Sequence, residues 1–156
     1  SEFGERALGH RSIIANPSDK TMKDTINAKI KYREDYRPFA PICLQSKASK
    51  YFEVDPGYIC ESMEKVVFVR KKWRRVLSAI NHFDNSARLQ TIEDSDSSLI
   101  VDILKLMPNH GLHPILINTS FNLNGEPIVE SIEDAIRTFY TSGLDILVIE
   151  NCIVEK

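Results

Sequence analysis

Apolar segments of two periodicities alternate along the second half of the chain, and this alternation constrains the fold more than any other feature. Apolar residues recur at helical spacing over residues 97–108, and Gly111 supplies a C-terminal cap. The run ILIN (115–118) predicts a buried strand, Ser131 begins a helix with a capping box, and LDILVIE (144–150) predicts a final strand. Alternating helices and strands predict an α/β or α+β domain with a mixed sheet.

The first half contributes one longer helix and several short elements. Met22, Ile26 and Ile30 lie four residues apart, which predicts a helix over residues 19–33 with an N-cap at Asp19. The proline after Arg37 ends that helix. Four further segments are predicted, in order an extended segment, a short helix and two strands: residues 38–43, 46–52, 66–69 and 87–92.

Composition places the chain among ordinary soluble domains. Its 156 residues suit a single domain over 1–156, and 42% hydrophobic with 27% charged residues is the balance of a globular protein. No apolar stretch approaches the roughly 18 residues that cross a bilayer. Cys43, Cys60 and Cys152 are widely spaced, so neither a disulfide framework nor a metal site is expected. A reducing cytoplasm is the expected location, and the first twenty residues lack the apolar core of a signal peptide.

Basic residues are concentrated near the N-terminus. Residues 1–50 hold ten lysines and arginines against six acidic residues, which suggests an anionic ligand. The glycine-rich phosphate loops of nucleotide-binding proteins are missing, so side chains must bind any phosphate, and arginine suits that role. Lys31, Arg33 and Arg37 form one cluster, with a solvated basic helix end as the alternative. Arg6 and Arg11 form a second, weaker one.

Two other segments have alternative interpretations. VRKKWRR (69–75) is the densest basic run and could contact RNA, although a strand end with exposed charges explains it as well. His82 and Asp84 could form a catalytic or metal pair, although a structural hydrogen bond is the commoner arrangement. The polar stretch NTSFNLNGEP (118–127) follows a predicted buried strand and presents many short hydrogen-bonding side chains.

Four ordered blocks, taken together, resemble a known family: FGERALGHRSIIANPSD, INAKIKYREDYRPFAP, NHFDNSARLQT and NTSFNLNGEPIVES. They are similar to the carboxy-terminal, YrdC-like domain of the O-carbamoyltransferases, which include nodulation and antibiotic-tailoring enzymes. The resemblance implies a twisted mixed sheet with flanking helices. It also implies formation of carbamoyl-adenylate from carbamoyl phosphate and ATP with Mg²⁺. An amino-terminal domain of actin-like ATPase fold in the same polypeptide would then transfer the carbamoyl group to a hydroxyl.

The resemblance also implies roles for particular residues. The K-x-R and S-x-N signature of YrdC-like domains corresponds to Lys31, Arg33, Ser120 and Asn122. Lys31, Arg33 and Arg6 are expected to be catalytic. The residues expected to bind ATP and carbamoyl phosphate are Arg11, Ser12, Arg37, Arg88, Asn118, Thr119, Ser120 and Asn122. No bound metal ligand is expected within the chain, and neither a membrane nor nucleic acid is expected as a partner.

Some positions depart from the family pattern. The family usually has proline at Glu5, asparagine at His10, Gly-Thr at Asn85-Ser86 and Ser-Pro at Cys60-Glu61. None of these belongs to the K-x-R or S-x-N pairs, so we expect the departures to alter the rim of the pocket. Two alternatives remain open, a non-catalytic module that binds RNA or a partner, and a threonylcarbamoyl-adenylate synthase-like domain.

Overall fold

The computed structural model describes residues 9–32, 34 and 36–156. Four α-helices are described within these residues: α1 (Met22–Ile26), α2 (Ala48–Tyr51), α3 (Leu99–Leu106) and α4 (Ile132–Thr141). Eight strands are described: β1 (Ser12–Ala15), β2 (Ala40–Leu44), β3 (Val66–Phe68), β4 (Ser86–Arg88), β5 (Gln90–Ile92), β6 (Ile115–Ser120), β7 (Ile146–Ile149) and β8 (Cys152–Glu155).

A four-stranded sheet in the order β1-β6-β2-β5 forms the centre of the fold. Strand β6 is antiparallel to both of its neighbours, whereas β2 and β5 are parallel. Two antiparallel ribbons, β3–β4 and β7–β8, lie outside this sheet. Mixed pairing with helices between the strands confirms the predicted α+β class.

Both faces of the central sheet are covered by apolar side chains. Side chains alternate between faces along a strand, so Ile115 and Ile117 of β6 join the larger core while Leu116 joins the smaller one. The smaller core places Ile42 and Leu116 against α3. Burial on both faces holds β6 in one register, because a slip of one residue would exchange its two faces.

The helix predicted over residues 19–33 is shorter and changes its winding. It begins at Met22, because Asp19 forms a turn instead, accepting hydrogen bonds from the amide and hydroxyl of Thr21. After Ile26 the chain continues as a π-helical turn over Asn27–Lys31, and Tyr32 ends it with a left-handed φ of 44°. Such wide turns are rare and often lie at functional sites.

The predicted strand over residues 87–92 is two strands that belong to different sheets. Residue Leu89 separates β4, which pairs with β3, from β5, which pairs with β2. Strand β8 follows the strand that was predicted to be final. The capping box at Ser131 is confirmed, since its hydroxyl accepts from the Asp134 amide and the Asp134 carboxylate accepts from the Ser131 amide. Within the described residues, no helix has the length and apolar character to span a bilayer.

Candidate functional site

A polar cleft of about 190 Å³ lies where β6 ends and the NTSFNLNGEP loop begins. Its walls combine basic side chains with asparagine, threonine and serine side chains. The predicted site residues that line it are Lys31, Arg37, Arg88, Asn118, Thr119, Ser120 and Asn122. The other lining residues are Pro38, Phe39, Ala40, Met63, Leu123, Asn124 and Gly125.

Lys31 is buried at this cleft and held by the loop. Only 5% of the residue is exposed. Its Nζ donates to the Ser120 carbonyl at 2.6 Å, the Asn122 Oδ1 at 2.7 Å and the Asn122 carbonyl at 3.0 Å. The Ser120 Oγ lies 3.4 Å away. A solvated helix end therefore does not describe Lys31, since the predicted K-x-R lysine and S-x-N pair are in direct contact.

The loop that holds Lys31 is braced by its own side chains. Ser120 Oγ donates to Asn122 Oδ1 at 2.8 Å, and Asn122 Nδ2 donates to the Glu126 carbonyl at 2.7 Å. Gly125 has a φ of 80°, a conformation that disfavours residues with a Cβ. These contacts fix the direction of the Asn122 amide, so its oxygen faces Nζ and its nitrogen faces the loop.

A hydrogen bond between two buried side-chain amides, Asn118 and Gln90, lies in the sheet beside the cleft. Asn118 is 2% exposed, and its Nδ2 donates to Gln90 Oε1 at 2.6 Å. Gln90 is fully buried, and its Nε2 donates to the Glu61 carbonyl at 2.7 Å. Sequence reasoning missed Gln90. Alternation in ARLQTI groups Gln90 with the charged Arg88, so no local signal indicated that it is buried.

The two arginines of the cleft are more exposed than Lys31. The Arg37 side chain is 53% exposed, and its Nε lies 3.2 Å from the Glu34 carboxylate. Its backbone carbonyl accepts from Asn27 Nδ2 at 3.1 Å, which ties the arginine segment to the π-helical turn. Arg88 is exposed at the end of β4. Arginines at a cleft wall can form paired hydrogen bonds with phosphate oxygens.

The remaining predicted site residues are placed differently. Arg11 and Ser12 do not line this cleft. The Arg11 Nη1 donates to the Val129 carbonyl at 3.3 Å, and Ser12 lies opposite Ser120 in the β1–β6 register. Arg6 and Arg33 lie outside the described residues. Both of those therefore stay predictions from the resemblance.

Of the residues that depart from the family pattern, those that the structure describes do not line the cleft. His10, Cys60, Glu61, Asn85 and Ser86 are absent from its lining. Asn85 has a φ of 66°, which explains why glycine suits that position and why asparagine is tolerated. An effect of these residues on the pocket rim therefore stays a prediction, and Glu5 lies outside the described part of the chain.

The basic run VRKKWRR is partly engaged in the fold. Arg70 Nε donates to the Ser49 carbonyl at 2.8 Å, Trp73 Nε1 to the Lys50 carbonyl at 2.9 Å, and Arg74 Nε to the Val69 carbonyl at 2.9 Å. The segment forms a short 3₁₀ turn after β3 instead of a strand end. Its tryptophan therefore anchors the turn, and Arg70 and Arg74 have structural partners.

His82 and Asp84 both contact Ser86. The Ser86 Oγ and His82 Nδ1 are 3.2 Å apart, and the Ser86 amide donates to the Asp84 carboxylate at 2.9 Å. The hydrogen bond from the Ser86 side chain lowers the pKa of Asp84. These contacts stabilise a turn, which favours the structural interpretation of His82 and Asp84. In the described part of the chain, no group of three or more metal-ligating side chains is assembled.

Burial also affects two thiols of the domain. Desolvation raises the pKa of Cys43 and of Cys60. Both thiols therefore stay protonated at neutral pH, and neither is suited to nucleophilic catalysis.

Comparison with known proteins places the chain in a family. The family model for the carboxy terminus of carbamoyltransferases matches residues 1–156. Nodulation protein NolO of Bradyrhizobium diazoefficiens is 48% identical, over 100% of this chain and 29% of NolO. Nodulation protein NolNO of Sinorhizobium fredii is 46% identical, over 100% of this chain and 23% of that protein.

A relative with a named enzymatic activity is more distant. The 3'-hydroxymethylcephem-O-carbamoyltransferase of Amycolatopsis lactamdurans is 34% identical, over 95% of this chain and 28% of the enzyme. The chain thus spans less than a third of the length of each of these relatives. Because the family model covers every residue, the chain belongs to the carbamoyltransferase C-terminus family.

Proposed function

We propose that this domain forms carbamoyl-adenylate from carbamoyl phosphate and ATP in the cleft around Lys31, as part of an O-carbamoyltransferase. The observation that carries the proposal is the buried ammonium of Lys31, which is held by Ser120 and Asn122 beside Arg37 and Arg88. Four oxygens of Ser120 and Asn122 lie within 3.4 Å of Nζ, and these contacts orient the cation. An oriented cation suits an anionic ligand.

The proposed chemistry has two steps that balance. Water first cleaves carbamoyl phosphate to carbamate and inorganic phosphate. The carbamate oxygen then attacks the α-phosphate of ATP, forming a new P–O bond as the bond to pyrophosphate breaks. Carbamate is already an anion, so no general base is required for the second step. Positioning and neutralisation of phosphate charge are the main demands of such a reaction.

The described residues meet those demands in part through their charge. Lys31, Arg37 and Arg88 line the cleft and would neutralise phosphate charge there, and Asn118 and Thr119 line the same cleft. The donor set contains amides and cations and no acidic cluster in the described part of the chain. Magnesium would therefore be carried mainly by nucleotide phosphates, as it commonly is in phosphoryl-transfer sites, and would supply charge neutralisation there.

The volume of the cleft suits the reacting groups better than it suits the whole nucleotide. About 190 Å³ is below the roughly 300–1,000 Å³ of typical small-molecule pockets. A carbamoyl group and its phosphate fit this space, and the adenosine would extend beyond it. Transfer to a hydroxyl acceptor belongs, in this proposal, to the part of a longer carbamoyltransferase that the matched relatives carry beyond this domain.

Calorimetry with the 156-residue chain tests the proposal directly. We expect saturable binding of ATP with Mg²⁺ and of carbamoyl phosphate, and exchange of labelled pyrophosphate into ATP only when carbamoyl phosphate is present. The chain alone should release no carbamoylated alcohol. Neither heat nor a thermal shift at millimolar ATP, or carbamoylation of an alcohol by this chain alone, would contradict the proposal.

A further inference from the structure

An open groove of about 370 Å³ lies between α3 and the β7–β8 ribbon. It shares no lining residue with the polar cleft. Ile100 and Ile103 line it from α3, and Ile146 and Val148 line it from β7. Its walls are mainly aliphatic, so the groove differs from the polar cleft in chemistry as well as in position.

The outward face of the β7–β8 ribbon is apolar, although its other face already packs on the larger core. Leu147 is buried in that core, and Val154, its register partner on β8, packs against it. The alternate residues Ile146 and Val148 are 53% and 48% exposed, and Ile153, the partner of Val148, is 68% exposed. An antiparallel ribbon with one face on a core normally presents polar side chains on the other. The outward face therefore has the composition of a buried surface.

Helix α3 shows the same excess of apolar residues. Six of its eight residues are aliphatic, and its inward side joins the smaller core. Leu99, Ile103 and Leu106 lie at helical spacing on another side, and Leu99 and Leu106 are 58% and 55% exposed. A helix that is apolar all round is typical of one that is buried all round. The two exposed leucines therefore indicate a further partner for α3.

The start of the described chain lies at this groove. Gly9 and His10 line it, and Gly9 approaches Ile100 so closely that a Cβ at position 9 would collide with that side chain. The family model describes the carboxy terminus of carbamoyltransferases, and the chain spans 29% of NolO and 28% of the cephem enzyme. In those relatives most of the polypeptide therefore precedes the matched region. Eight residues span at most roughly 28 Å, so a region that precedes this domain would be joined to it close to the groove.

We propose that the groove and the apolar faces beside it dock the region that precedes this domain in a longer carbamoyltransferase. The occupant is an apolar surface of that region with basic side chains around it. Glu150 lines the groove, and Glu155, the register partner of Ile146, is exposed beside it. Complementary charges around an apolar centre fix the orientation of such an interface. The docking surface does not depend on the chemistry proposed for the polar cleft, since the two share no lining residue.

A small apolar ligand explains the same surface less well. The groove volume does fall within the roughly 300–1,000 Å³ of small-molecule pockets. However, the apolar surface continues beyond the groove to Leu106 and Ile153, neither of which lines it. A small molecule in the groove would leave both side chains exposed. A protein surface covers the groove and its flanks together, and inter-domain interfaces of roughly 600–1,500 Å² are large enough to do so.

Hydrogen exchange of the isolated 156-residue chain and of a longer carbamoyltransferase that contains it tests the docking. We expect the amides of α3 and β7 to exchange at least about tenfold more slowly in the longer protein, because docking suppresses local opening. The amides of β3, on the other ribbon, should exchange equally in both proteins. Equal exchange of α3 and β7 in the two proteins would overturn the proposal, whatever the polar cleft binds.

Val148→Glu, with Val66→Glu as its matched control, tests the surface itself. Val66 is 62% exposed on the β3–β4 ribbon and does not line the groove. Because Val148 is half exposed, Val148→Glu should melt within about 4 °C of the wild type in the isolated chain. In the longer protein Val148→Glu should abolish the additional protection of α3 and β7, whereas Val66→Glu should keep it.

Three results with Val148→Glu would refute the docking surface. A larger fall in the melting temperature of the isolated chain would make Val148 part of the domain's own core. Protection of α3 and β7 that persists in the longer protein would separate that protection from the groove. A dimer of the isolated chain in sedimentation, dissociated by Val148→Glu, would assign the groove to a second copy.

Discussion

Replacement of Lys31 by methionine removes the ammonium group from the cleft and keeps most of the aliphatic stem. Three contacts of Nζ are 3.0 Å or shorter, to two carbonyls and to Asn122 Oδ1. After the substitution Asn122 Oδ1 still accepts from Ser120 Oγ, so its oxygen is not left without a donor. The loss therefore falls on the two backbone carbonyls, which exchange a charged donor for a methyl group.

The stability cost follows from those contacts and from burial. Hydrogen bonds to a charged group contribute about 1.5–3 kcal/mol each, while burying an ammonium costs several kcal/mol, and the substitution removes both terms. We expect a net decrease in unfolding free energy of about 1–3 kcal/mol. For a domain of this size, that corresponds to a fall in melting temperature of about 2–12 °C.

Anion binding should fall more clearly than stability. Removal of one charge-assisted hydrogen bond lowers affinity by about ten- to a hundredfold. Calorimetric titration with carbamoyl phosphate and with ATP measures this change, and a thermal melt of the same preparation measures stability. Lys71→Met is the matched control, because Lys71 is exposed and does not line the cleft.

If Lys31→Met binds both ligands as tightly as Lys71→Met does, the ammonium of Lys31 is not part of an anion site. If it also melts at the wild-type temperature, the contacts with Ser120 and Asn122 do not stabilise the fold. A loss of stability with unchanged affinity would leave Lys31 as a structural residue and remove it from the proposed chemistry.

Three further predictions concern other parts of the chain. Ser131→Ala should lower unfolding free energy by about 1 kcal/mol through loss of the α4 cap, and an unchanged urea midpoint would count against the cap. The Ser86 hydrogen bond lowers the pKa of Asp84 below its ordinary 3.8, so the stabilisation is present above pH 3.8 and lost as pH falls through the folded-state pKa. The melting deficit of Asp84→Ala at neutral pH should accordingly vanish in strong acid, and a deficit equal at every pH would be contrary evidence. Arg33→Lys should lower pyrophosphate exchange about ten- to a hundredfold in the longer enzyme, whereas Arg75→Lys should not, and equal exchange would remove Arg33 from the site.

Local sequence signals predicted the later helices well. The helix α4 begins where its capping box predicted, and α3 is followed by a 3₁₀ turn that ends at Gly111, whose φ is 71°. Both helices depend on spacing and caps within a few residues. Tertiary packing adds burial of one face but does not move the boundaries far.

Long-range pairing explains the elements that the sequence did not predict. Strand β1 has only four residues, and its extended form depends on pairing with residues of β6 more than a hundred positions away. The separation of β4 from β5 likewise depends on different partners, β3 and β2. Nothing within ARLQTI distinguishes one continuous strand from two, because the period of alternation is the same in both cases.

The candidate site also combines residues that sequence motifs predicted with one residue that they did not predict. The lysine and the S-x-N residues were predicted together through the resemblance, and the structure brings them into contact. Gln90 was not predicted, because its contact with Asn118 depends on the order of β6, β2 and β5 in the sheet. Such a contact across an intervening strand leaves no pattern in the local sequence.

The contacts of the polar loop change how its side chains are expected to act. As a sequence, NTSFNLNGEP suggests groups that bind a ligand directly, yet Ser120 and Asn122 direct their oxygens to Lys31. Asn122 lies in the bend after β6, where its backbone amide donates to the Ser120 carbonyl at 3.1 Å, and this bend brings both side chains to one ammonium. Their influence on an anion is therefore exerted through the orientation of Lys31, and Asn118 remains the amide of this strand end that is held from inside the sheet. The loop thus orients the cation and the sheet orients the amide, through two different sets of hydrogen bonds.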